Sequence, residues 1–342
     1  VAAVLTRREL LRGLAAFATI GAAEYAPANA AAPLVALVHT QAAGDGGVID
    51  GMIASLKRLR DERGLTTRAI YAADAANYQP ILELLGEAQA AVVLTTFDEM
   101  AQPMKAVAPV FPNTRFVQLY ADPFTPPIRN VRTVAYDTYL ASYLSGIFAG
   151  VVSTASKIGY IAGMNIPTLD ANYNALAAGF RSLRPTGTVG SAFVGSFQDP
   201  AKALEIAKQV FSDGVDFIQA EASASDLGII QAANAKLGRI VIAGARPEFP
   251  LGPQSVAAIT LCDFGRSLYQ ETTLALGPAW TNGHYRSGLQ DGVVDFVPSP
   301  LFEGKGPAAA VAKYRDALPH VNAAKSRIVA GTLKVPFKTN LG

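Results

Sequence analysis

Side chains able to do covalent chemistry are few and dispersed in this chain. Its three histidines, His39, His284 and His320, lie far apart, and none belongs to an H-E-x-x-H or C-x-x-C arrangement that would hold a metal. There is no G-x-S-x-G nucleophile elbow and no Walker A phosphate loop. Gly44-Asp45-Gly46-Gly47 lacks the third glycine of a dinucleotide loop, and the acidic residue about 20 positions on is missing too. No catalytic residue, metal or cofactor is therefore expected. A hydrolase assembled only by folding is the weaker alternative. What the chain does hold is a set suited to reversible recognition: Asp45, Thr96, Phe97, Asp98, Asn165, Phe197, Glu221 and Arg246. A phenyl face stacks on a planar ring for ~1–3 kcal/mol. An amide offers both donor and acceptor, and a guanidinium presents a planar fork to carboxylates or carbonyl-rich rings. Each candidate has a plain structural alternative. Asp45 and Asp98 can cap helices, Phe97 and Phe197 can be core rings, and Asn165 can shape a turn. Arg246 can pair with Glu248 at the rim. Glu221, ending an apolar strand, is hard to explain as a solubilising charge, and Asp263 reaches toward a hinge or a cleft.

The candidates fall where strands are expected to end. Residues 34–39 read as a continuous apolar strand, the form that parallel sheets require. Further strands are expected at 67–71, 91–94, 115–119 and 131–135, with helices at 48–63, 80–88, 97–108 and 138–152 between or after them. The rhythm then restarts with strands at 157–161, 188–193, 215–219, 239–243 and 256–260. Helices are expected at 171–183, 200–213, 226–237 and 265–276, with Asp199 capping and Pro200 opening the second of these. An alternating run at 292–298 and a last helix at 307–330 complete the chain. Repeated βα units predict an α/β fold of two doubly wound, Rossmann-like lobes with a hinge and an interlobe cleft. Lobe 1 is expected to take residues 31–135 plus about 264–288, and lobe 2 residues 136–263 plus about 289–342. Ligands in such sheets sit beyond the carboxyl ends of the strands.

Composition narrows the partners. Half of the residues are apolar and 16% are charged, which excludes disorder, and the net charge of +2 gives no electrostatic case for nucleic acid. The single cysteine, Cys262, forbids an intrachain disulfide. Residues 1–30 carry Arg7-Arg8 in a basic head, an apolar run from Leu14 to Ala23, and Ala28-Asn29-Ala30. That order reads as a twin-arginine export signal with a cleavage site. Its apolar run of about ten residues is too short to span a bilayer. The expectation is a soluble, monomeric periplasmic protein without a lipid anchor.

Four stretches then resemble one family. Residues 157–167 (KIGYIAGMNIP) followed by 178–181 (AGFR) are similar to the central motif of the basic membrane protein (BMP) family. Residues 195–202 (GSFQDPAK), 130–134 through 143–146, and 288–294 match further family stretches in order, so that the likeness spans about residues 33–300. The resemblance implies the type I periplasmic-binding fold and the role of substrate-binding protein for an ABC importer, with a membrane permease as partner. It also places Asp45 where members hydrogen-bond the base of a purine nucleoside. Two positions depart from the family pattern: Val48 replaces a stacking aromatic, and Arg246 replaces the aspartate that grips ribose. A free purine base, a nucleoside-like compound, or another small heterocycle, organic acid or amide is the implied ligand. A ligand sensor for a membrane receptor would share these features.

Overall fold

The computed structural model describes residues 32–44 and 47–341. The basic head and apolar run of residues 1–30, and Asp45, lie outside the described residues. Two six-stranded sheets organise the rest, both within the unit Pro33–Gly342.

The first sheet contains β1 (Leu34–His39), β2 (Thr66–Tyr71), β3 (Val92–Thr96), β4 (Arg115–Leu119), β5 (Val131–Tyr136) and β11 (Gly283–Ser287), in the spatial order β11-β5-β4-β3-β1-β2. All its pairings are parallel. The second contains β6 (Lys157–Ala162), β7 (Thr188–Phe193), β8 (Phe217–Glu221), β9 (Ile240–Ala243), β10 (Val256–Cys262) and β12 (Val294–Pro298), in the order β12-β10-β9-β8-β6-β7. Here only β12 runs antiparallel, against β10. The two sheets share the order 2-1-3-4-5 of doubly wound folds, which puts a topological switch point between β1 and β3 and another between β6 and β8.

Central strands are apolar on both faces because helices cover both. Val35 to Val38 in β1 and Val92 to Leu94 in β3 are fully buried, while the edge strand β2 is largely exposed. In lobe 2, α4 (Thr138–Val152) crosses α5 (Pro167–Leu183) at very close range. Gly146 and Gly179 permit this: a methyl group on either would collide with backbone of the facing helix. The chain passes between the sheets three times, after β5, after β10 and between β11 and β12. Backbone bonds bind these crossings to each other: Asp137 N–H donates to Ser287 O (2.8 Å) and Asp263 N–H to Val293 O (2.7 Å). The Asp291 carboxylate collects the Ser287 hydroxyl (2.8 Å), the Tyr285 hydroxyl (3.1 Å) and the Val293 N–H (3.1 Å).

Several element ends differ from the sequence expectation. Phe97 does not begin a helix; its φ of 60° takes it out of helical geometry, and a 3-10 turn at Asp98–Met100 precedes α3 (Ala101–Val107). Helix α5 starts at Pro167, in the first-turn position that suits its missing N–H, rather than at residue 171. Strand β8 runs two residues further than expected, so Glu221 is its last residue.

Candidate functional site

Loops beyond β3, which borders the lobe 1 switch point, and beyond its neighbour β4 present aromatic rings. Phe97 directly follows β3 and Tyr120 directly follows β4; both have positive φ, at 60° and 58°. A non-glycine residue held there costs ~1–3 kcal/mol, so the surroundings must impose it. They do: Phe97 N–H donates to Leu119 O (2.9 Å), Gln118 Nε2 donates to Phe97 O (2.6 Å), and Ala121 N–H donates to Val134 O (3.0 Å). The two rings meet edge to face at 5.7 Å between centroids. Phe264, opening α8 (Phe264–Leu276), lies 6.0 Å from Tyr120, and Tyr136 backs it at 4.8 Å. Thr96, the last residue of β3, buries its hydroxyl with no hydrogen-bond partner. Asp98 does not cap its helical turn. Its carboxylate accepts the Asp122 N–H instead, and burial together with the charge of Asp122 raises its pKa.

Lobe 2 answers with the loops after β6, β7, β8 and β9. Phe197 is partly exposed, its ring lying over Gly163, where any Cβ would overlap it. The Asn165 amide nitrogen faces the Asp170 carboxylate at 3.0 Å, in the amide orientation that satisfies both groups. Glu221 is surrounded by donors. Its Oε1 accepts from Gln219 Nε2 (2.6 Å) and the Ser142 hydroxyl (3.1 Å). Its Oε2 accepts from Asn172 Nδ2 (2.6 Å) and lies 2.9 Å from the Tyr160 hydroxyl. Burial raises the Glu221 pKa, and these four groups oppose the rise.

Beyond β9 the Arg246–Glu248 ion pair, the structural alternative to a cleft role for Arg246, does not form among the described residues. Glu248 turns back on its own loop, accepting the Gly244 N–H (2.9 Å) and the Ala245 N–H (2.5 Å). Its carboxyl group also meets that of Asp226, the first residue of α7 (Asp226–Asn234), whose Oδ1 accepts the Ala222 N–H (2.8 Å). Two desolvated carboxyls in contact cannot both ionise, so Asp226 is pushed well up and Glu248 to about 7. Arg246 is left exposed and makes no ion pair or hydrogen bond among the described residues.

Tyr120 and Asp226 were missed by sequence reading. The strand-end rule would have flagged Tyr120 had it been applied to the loop after β4, as it was after β3. For Asp226 the sequence indicates only the start of a helix. Among the described residues no cluster of three or more histidine, cysteine or acidic side chains is placed to hold a metal, and no helix is long and apolar enough to cross a membrane. Burial raises the Cys262 thiol pKa, which keeps it a poor nucleophile.

Two doubly wound lobes joined by three crossings match the two-lobed fold of type I periplasmic binding proteins. The chain belongs to the PnrA-like family of ABC transporter substrate-binding proteins (Bmp), whose sequence profile matches residues 32–321. Basic membrane protein A of Borreliella afzelii is 26% identical over 278 residues, 78% of this chain and 83% of that protein. Among solved structures, an ABC transporter solute-binding protein from Conexibacter woesei is similar at a TM-score of 0.72 and 21% identity, over 90% of this chain and 99% of that one. Another from Aeropyrum pernix superposes with a TM-score of 0.72 at 18% identity, over 90% of this chain and 94% of that one. At such identities these structures show the fold alone. The family is one of solute-binding proteins, which capture small ligands outside the cytoplasm and deliver them to an ABC permease.

Proposed function

We propose that this protein captures a small heterocycle, a purine base or nucleoside-like compound, between its lobes and hands it unaltered to its permease. One observation carries the reading: Phe97 and Tyr120, held in strained backbone beyond the neighbouring strands β3 and β4, set two rings beside the lobe 1 switch point. A planar guest stacks there, while Asp45, Thr96, Asp98, Asn165, Phe197, Glu221 and Arg246 supply polar and aromatic contacts around it. Arg246, exposed and without an ion pair or hydrogen bond among the described residues, favours a second reading of the same site, in which the ring is acidic. Lobe 1 comprises residues 31–135 plus about 264–288, and lobe 2 residues 136–263 plus about 289–342. The protein acts as a monomer in the periplasm, exported through residues 1–30, with no nucleic-acid partner and no covalent step.

A thermal-shift screen of purines, nucleosides and small aromatic acids tests this. Stabilisation by one of these classes is expected, since a ligand at 100 times its Kd adds about 2.7 kcal/mol. A flat response across all three would reject the heterocycle reading.

A further inference from the structure

The last helix, Ala308–Val329, packs along α4, and its Tyr314 meets Phe148 edge to face at 5.9 Å between centroids. The chain then turns at Gly331, whose φ of 73° suits glycine, and residues 332–341 run on without regular structure. This run is nonetheless held along its length. Leu333 and Val335 pack against the main core. Asn174 Nδ2, on α5, donates to Lys338 O (3.0 Å) and to Asn340 O (2.8 Å). Phe337 lies between these holds, against Tyr139 of α4 at 5.0 Å between centroids, with the Arg286 guanidinium 5.3 Å from its ring centroid. Arg286 is a residue of β11 and so of the first sheet. Its guanidinium also pairs with Asp137, where the chain first crosses between the sheets. A ring from the segment beyond the last helix of lobe 2 therefore rests on a lobe 1 cation at the crossings.

Core burial does not explain that ring, since Phe337 is 53% exposed. Its neighbours do: a cation within about 6 Å of an aromatic centroid is attracted to the ring face. We propose that residues 332–341 are a strap across the hinge: Asn174 anchors it to lobe 2, and Phe337 clasps Arg286 of lobe 1, which favours the interlobe angle of this structure. The anchor is continuous with the loop after β6. Asn174 Nδ2 also donates to the Asp170 carbonyl (2.9 Å), and the Asp170 carboxylate faces the Asn165 amide (3.0 Å). A contact made at one interlobe angle only shifts the equilibrium toward that angle by its own free energy.

The strap goes beyond the proposed function, since it is indifferent to the guest, and its test uses ligand-free protein. Spin labels at Asn77→Cys in lobe 1 and Lys202→Cys in lobe 2, both exposed, report the interlobe distance by double electron–electron resonance in a Cys262→Ala background. Phe337→Ala and Asn174→Ala are each expected to lower the population at the parent separation about 2- to 5-fold relative to other separations, the scale of an exposed cation–π contact. The double variant is expected to go no further, because both changes release the same strap. Phe337→Trp, which keeps an aromatic face for Arg286, should retain the parent distribution. Unchanged distributions in both alanine variants would overturn the strap, as would a lower Tm without any change in distance. A tryptophan variant that behaves like alanine would overturn the clasp on Arg286.

Discussion

Glu221 is held by hydrogen bonds from three side chains and lies beside the Tyr160 hydroxyl, so its loss is felt as unpaired buried donors more than as a missing charge. Glu221→Ala is expected to destabilise the protein by about 3 kcal/mol, and Glu221→Gln by less, measured by urea denaturation. The Asp226–Glu248 pair gives a pH signature. Both carboxyls bind protons more tightly folded than unfolded, so their contribution is fully present below the ordinary carboxylate range. It is lost as pH rises through the folded value of about 7 for Glu248. Unfolding free energy should therefore fall between pH 5 and pH 8, and Glu248→Gln should flatten the slope; an unchanged slope would contradict the shared proton. Residue type together with strand-end position was enough to single out Phe97, Glu221 and Arg246 in the sequence. What the sequence could not show is where each side chain turns. Glu248 spends its carboxylate on its own loop, and Arg246 is left without the partner that spacing suggested.

Helix and strand placement was legible wherever apolar periodicity was strong. β1, β3 and β6 are buried on both faces and stand out as unbroken apolar runs, and Asp199 caps its helix through the Lys202 N–H (3.0 Å), as its position implied. β11 was not legible, because Gly283–Ser287 is a mixed, partly buried strand fixed only by pairing with β5. Nor did periodicity show the turn at Phe97, since the strain there is imposed by bonds from β4. The α4–α5 crossing makes a testable claim about elements. Gly179→Ala places a methyl against the Tyr143 carbonyl, and overpacking of this kind is expected to cost about 3 kcal/mol. Thermal unfolding should show a clear loss of Tm, whereas Gly51→Ala, in open space on α1 (Val48–Arg63), should show none.

On the proposed function, two lobes joined by three crossings let binding energy gathered between them be spent on closure. The proposed export through residues 1–30 belongs to this scale as well. Changing Arg7 and Arg8 together to lysine is expected to leave the protein in the cytoplasm, checked by fractionation; periplasmic accumulation of that variant would refute the twin-arginine reading. Titration calorimetry of the purified chain with the heterocycle that most raises its Tm, followed by recovery of the ligand for mass spectrometry, bears most directly on capture without chemistry. The account predicts one molecule bound per chain, affinity at least tenfold weaker in Phe97→Ala, and a ligand of unchanged mass. Heat from continuing turnover, an altered ligand, or a Phe97→Ala variant that binds as tightly as the parent would contradict it.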